Sequence, residues 1–206
     1  MGANDDVQVN LADERAALDR ARSAAADKLI ELRSKKLVAA DALSEEYMQA
    51  VVRGAIEKLQ NELTVFGRID DDEPWRIGLY GVEKRGVQLV VDWRAPFAQG
   101  FYRATFDEPL GLDRRVSYVG AIDELFIEDF AANQVTGSSP LMVELDRNRG
   151  DTMKTAVATL QSEQDELVRR SADEVMVLRG GPGTGKTVVG LHRAAWLVYN
   201  LSLIHI

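Results

Sequence analysis

The chain has 206 residues, 46% of them hydrophobic, enough to bury a core in one full domain or two small ones. Its 33 acidic residues outnumber the 25 Lys and Arg, so this segment by itself is expected to bind DNA poorly. With no Cys and two His, disulfides and thiolate zinc sites are excluded and a histidine-based metal centre is disfavoured.

Met1 to Asn10 is polar and acidic, without the basic and apolar regions of a secretory signal, and a cytoplasmic location is expected. From Asn10 to about Phe66 there is no proline, and Ala, Leu, Glu, Lys and Arg dominate, as a helical segment requires. Leu11, Leu18, Ala25 and Leu32 recur every seven residues. After a break near Val38 to Leu43, Ser44 can cap a second helix, with Glu45 and Glu46 at the positive end of its dipole. Met48, Val52, Ile56, Leu59, Leu63 and Phe66 form its apolar stripe. Each stripe needs a partner, and the nearest is the other helix, which predicts an antiparallel hairpin, a coiled coil.

At Gly67 the pattern changes to short alternating runs. Trp75 to Val82 and Val87 to Trp93 read as paired strands around the charged turn Glu83 to Gly86. Phe101 to Thr105, Arg115 to Val119 and Glu124 to Phe130 read as further strands of a small antiparallel β module. The acidic run Asp70 to Glu73 lacks the alternating ligand spacing of a calcium loop and reads as a solvated turn. From Leu141 the chain turns helical through Met153 to Arg170, then enters the apolar run Val175 to Leu178, a predicted strand. The final apolar run, Ala194 to Ile206, is too short to span a bilayer, and no membrane association is expected.

Gly180, Gly181, Pro182, Gly183, Thr184, Gly185, Lys186 and Thr187 match G-x-x-x-x-G-K-[ST] in full, between that predicted strand and the helix-forming run Thr187 to Tyr199. Glycines let the backbone curl so that successive N–H groups face phosphate oxygens, and the following helix offers its positive end. Lys186 supplies a point charge to the β and γ phosphates of ATP, and the Thr187 hydroxyl is the expected ligand of Mg²⁺. These two carry the catalytic assignment. His192 beside Leu191 and Trp196 reads as a packing residue and not as a base.

Several segments together resemble the HelD proteins, relatives of the UvrD and Rep helicases. They are Phe66-Gly67-Arg68-Ile69-Asp70, Arg76-Ile77-Gly78, Asp92-Trp93-Arg94-Ala95-Pro96 and Phe101-Tyr102-Arg103-Ala104-Thr105. Ala158 to Glu166, the phosphate loop and Leu191-His192-Arg193-Ala194-Ala195 complete the set. The resemblance implies a superfamily 1 ATPase that binds RNA polymerase, clears it of nucleic acid and returns it to use. It implies that a hairpin, here about Asn10 to Thr64, enters the polymerase secondary channel. It also implies that Gln164 reads the adenine of ATP, a task that suits an amide because it both donates and accepts. DNA or RNA would be handled by the intact motor.

The expected organisation is mixed α and β: a helical hairpin over 1–65, a β-rich module over 66–140, and the beginning of a RecA-like phosphate-loop domain over 141–206. The family's acidic Mg²⁺ motif and second motor domain are not among these residues, and Leu201 to Ile206 do not resemble its continuation. The segment alone is therefore expected not to hydrolyse ATP. The alternatives are a DNA helicase of the UvrD and Rep type and a non-catalytic polymerase-docking module.

Overall fold

The computed structural model describes residues 9–34, 46, 49–50, 53–54, 64–120, 122–139, 160–173 and 175–204. Helix α1 spans Leu11–Ser34. Asn10 caps it, its Oδ1 accepting the Asp13 N–H at 2.9 Å. Seven strands follow: β1 (Val65–Asp70), β2 (Pro74–Gly78), β3 (Val82–Lys84), β4 (Val87–Asp92), β5 (Arg114–Val119), β6 (Glu124–Asp129) and β7 (Gln134–Thr136). Helix α2 (Gln99–Arg103) lies between β4 and β5, behind a 3₁₀ turn at Pro96–Ala98. Helices α3 (Ser162–Val168) and α4 (Lys186–Ile204) complete the described chain.

The strands form one sheet in the order β3-β4-β2-β1-β5-β6-β7. Every ladder is antiparallel except β2 with β4, which is parallel, so the sheet is mixed and not purely antiparallel. The expected pairing of Trp75–Val82 with Val87–Trp93 is corrected accordingly. The first run breaks after Gly78, and only its end, as β3, makes a hairpin with β4. Arg85 and Gly86 both have positive φ, 54° and 81°, as a two-residue turn between right-twisted strands requires.

A second correction concerns Phe101 to Thr105. This run is helical through Arg103, because Phe101 and Tyr102 both turn into one core where a strand would send neighbours to opposite faces. The acidic run is divided as well: Asp70 ends a buried strand in an ion pair with Arg68, while Asp71 accepts hydrogen bonds from the Glu73 N–H and Trp75 Nε1.

The central strand β1 is buried along its whole length, with one apolar layer on each face of the sheet. On one face α1 lays down Leu18, Ala21, Ala24 and Ala25 against Val65, Val82, Val90, Val116 and Tyr118. On the other, Ile69 and Ile77 meet Phe101, Tyr102, Leu112, Leu160, Val168 and Val189. Leu11, Leu18 and Ala25 of the first helical stripe are thus satisfied by the sheet, and small alanines let the helix approach it closely. Positions 46, 49, 50, 53 and 54 are helical. The second stripe at Met48, Val52, Ile56, Leu59 and Leu63, and with it the antiparallel pairing, lies outside the described residues. Phe66, assigned to that stripe, belongs instead to β1.

Gly67 is fixed by a close approach. A Cβ there would stand 2.2 Å from Phe101 Cε2 and 2.8 Å from the Val116 carbonyl oxygen. Phe101 is itself packed edge-on against Phe66 and Tyr102, at ring separations of 5.4 and 5.3 Å, and has nowhere to retreat. Gly67→Ala is expected to destabilise the chain by about 1–3 kcal/mol, the usual range for overpacking. A denaturant titration would check it.

Candidate nucleotide site

The phosphate loop forms the turn into α4. Gly183 and Gly185 adopt φ of +79° and +76°, conformations open to glycine and strained for other residues. The first helical bond runs from the Val189 N–H to the Gly185 carbonyl at 3.0 Å, so the preceding N–H groups have no partner inside the helix. Lys186 is the first residue of α4. Its Nζ donates to the Gly181 carbonyl and lies 3.4 Å from Thr184 Oγ1, which holds the ammonium across the loop. Thr187 is exposed on the first turn. Gly180 packs closely too, since a Cβ on it would meet Thr184 Oγ1 at 2.7 Å.

The expected strand before the loop is not formed. Val175–Leu178 pairs with no described strand, and Val175 and Val177 are 97% and 72% exposed. A strand exists only where a neighbour takes its backbone hydrogen bonds, and none of the described strands lies alongside. Leu178 alone reaches the core, packing at its edge.

Gln164 is brought to the loop by α3. Its Oε1 accepts the Gln161 N–H at 3.3 Å, closing a capping box at the start of that helix. Its Nε2 lies 3.2 Å from the point a Cβ on Gly185 would occupy. Gln164 and Gly185 of the phosphate loop, 21 residues apart in sequence, therefore meet in space.

What holds them there is a set of charged residues to which sequence reasoning gave no role. Asp165 is 0% exposed and accepts from Arg103 Nε at 2.9 Å and Arg169 Nε at 2.7 Å. Arg169 also donates to the carbonyls of Trp93, at 2.7 Å, and Ala95, at 3.2 Å. From α4, Arg193 donates to the carbonyls of Leu167, Val168, Arg170 and Ser171, satisfying the open end of α3. The one available signal was an Asp and an Arg four residues apart in an otherwise amphipathic run, Asp165 and Arg169.

The Asp92 to Pro96 segment is the other half of this junction. Asp92 accepts from the Arg94 N–H at 2.9 Å and from Arg94 Nε at 2.8 Å. Burial opposes the Arg94 charge, but Asp92 outweighs it and raises the guanidinium pKa above its ordinary value. The same guanidinium stacks on the Tyr199 ring of α4 at 4.7 Å. Trp93 is buried edge-on to His192, 5.4 Å between ring centroids, and His192 Nδ1 lies 2.7 Å from the Val188 carbonyl. His192 is thus a packing residue on the helix that begins at Lys186. A cleft of about 370 Å³ opens between Trp75, Phe97 and Tyr199, and no loop residue lines it.

The family model described as the N-terminal domain of DNA helicase IV HelD matches residues 5–128. The chain belongs to the HelD family. The HelD match takes in α1 and the sheet through most of β6 and ends before the phosphate loop, so the loop and Gln164 stand on their own motif and geometry. No curated protein matches the chain. No helix among the described residues is long and apolar enough to cross a membrane.

Proposed function

We propose that the full-length protein carrying this chain is a HelD-type, ATP-driven motor that binds RNA polymerase, removes nucleic acid from it and returns it to use. The observation that carries the ATP-binding part is the meeting of Gln164 with the Gly185 turn at the head of α4. Lys186 would bind the β and γ phosphates, Thr187 would ligate Mg²⁺, and the backbone N–H groups from Gly181 to Thr187 would cradle the remaining oxygens. Gln164 would donate to N7 of adenine and accept from its exocyclic amine, a pattern that guanine, with a carbonyl at that position, cannot meet. Residues 141–206 are read on this basis as the opening of a RecA-like domain, and the location as cytoplasmic.

The polymerase part rests on family membership and on α1. Its first half belongs to the core of the sheet, so the docking arm is the remainder, about residues 29–62, rooted by that half. Leu18, Ala21, Ala24 and Ala25 are spent on the sheet, whereas Glu31, where the arm begins, is exposed, as suits a charged channel. Deleting 29–62 behind a Gly/Ser bridge leaves Glu14 and Leu18 in place. The deleted protein is expected to lose co-elution with core RNA polymerase on size exclusion while keeping its affinity for ATP; undiminished co-elution would remove the arm from this account. The family description favours a second reading, unwinding of DNA. It predicts ATP-dependent strand separation of naked duplex with no need for polymerase.

A further inference from the structure

Helix α3 has only seven residues, too few to hold its own conformation in water, so its pose is set by what grips it. The grip on the face adjoining Gln164 is Asp165. Of its two guanidinium partners, Arg169 is the C-cap of the same helix, four residues on, and it reaches the sheet unit through backbone acceptors, the Trp93 and Ala95 carbonyls, which anchor the end of α3 remote from Gln164. Arg103 comes from α2, inside the HelD-matched sheet unit, and is the direct ionic link from that unit to Asp165 among the described residues. Consecutive residues on a helix are rotated by about 100°. A tilt at Asp165 is thereby passed directly to Gln164, whose Oε1 accepts the Gln161 N–H and whose Nε2 lies beside the Gly185 turn.

We propose that Arg103, acting through Asp165, is a positioning residue for base recognition: it sets the pose of α3 and so aims the Gln164 amide at the adenine edge of bound ATP. The proposal rests on the reading of the loop as an ATP site and of Gln164 as its base reader. It adds that nucleotide selectivity is set in part from the β-rich unit, by a residue with no place on the loop. The energetic case is that recognition by an amide depends on direction, and an error near 1 Å in a donor–acceptor pair forfeits most of its benefit.

The variant that isolates this role is Arg103→Met, which keeps the aliphatic stem and removes the charge. Asp165 retains Arg169, so no buried carboxylate is stranded, and Arg103 is itself 31% exposed. Calorimetric titration of the 206-residue chain with ATP, GTP and inorganic tripolyphosphate, each with Mg²⁺, separates base from phosphate recognition. In Arg103→Met, ATP affinity is expected to fall about three- to tenfold, the worth of one hydrogen bond, with GTP and tripolyphosphate affinities unchanged. Arg103→Lys, which keeps a cation facing Asp165, should recover part of the ATP preference. Gln164→Ala serves as the reference and should abolish the preference. If Gln164→Ala loses it and Arg103→Met keeps it, the positioning role is overturned while the base reader stands. If Gln164→Ala keeps it, the base reader fails and takes the proposal with it. A parallel fall for all three ligands in Arg103→Met, with a lower melting temperature, would mean a merely structural ion pair and would also overturn the proposal.

Discussion

Glu14→Ala is expected to lower the stability of the chain by about 3–5 kcal/mol, the usual result of removing one member of a buried ionic cluster. Glu14 is 0% exposed on α1 and is the acceptor on which the helix and sheet converge. Arg68 Nη1 donates to it at 2.7 Å, Arg76 Nη2 at 3.0 Å, and the Tyr118 hydroxyl donates as well. Truncation strips those donors of a shared acceptor in a dry environment and removes the polar tie between α1 and strands β1, β2 and β5. Arg68 keeps Asp70, so the cost falls mainly on Arg76 and Tyr118. The cluster also has a pH signature. Burial pushes the Glu14 carboxyl up, but the Tyr118 hydroxyl and the charges of Arg76 and Arg68 outweigh it and hold its pKa below the ordinary 4.5. A carboxylate with a depressed folded pKa contributes stability that is complete above the unfolded value and is lost as pH falls through the folded one. Denaturant titrations should therefore show the gap between wild type and Glu14→Gln shrinking as pH drops below about 4.5, the unperturbed carboxyl value. A Glu14→Ala chain within about 1 kcal/mol of wild type at pH 7 would contradict the cluster's role.

Lys186→Ala carries the largest effect expected at the nucleotide site. The ammonium is half-buried at the head of α4 and directed across the loop, bonded to the Gly181 carbonyl. A charge-assisted contact to phosphate is worth about 1.5–3 kcal/mol, so ATP affinity should fall about ten- to 150-fold by calorimetry. Because the side chain is exchanging a loop carbonyl for phosphate, the fold itself should be spared and the melting temperature of the free chain little changed. Equal affinity for ATP in wild type and Lys186→Ala would mean that the loop is not a phosphate site.

The loop was legible in the sequence because its chemistry is local: glycines where φ is positive, and Lys and Thr at the head of a helix. The strands β4, β5 and β6 were legible for the same reason, since alternation is a short-range signal, whereas β1 was missed because Phe66 fitted the preceding helical stripe. What escaped was long-range. The alanines of α1 read equally well as helix formers or as a packing face, and only the sheet beneath them decides that Ala21, Ala24 and Ala25 are core. Phe101 and Tyr102 resemble a strand by composition and become helical because one core takes both rings. Val175–Leu178 has strand composition but no neighbour among the described strands to pair with. Gln164 was placed by resemblance, whereas its support by Arg103, Asp165, Arg169 and Arg193 joins residues up to 76 apart, as with Arg169 and the Trp93 carbonyl, a separation that no motif spacing encodes.

The proposed motor activity is tested most directly by release of labelled nucleic acid from a stalled RNA polymerase complex. With ATP and Mg²⁺, the full-length protein is expected to free the label, and its Lys186→Ala variant to bind the complex without freeing it. Failure to release from polymerase, together with ATP-dependent unwinding of naked duplex by the same preparation, would contradict the recycling account and leave the DNA helicase reading in its place.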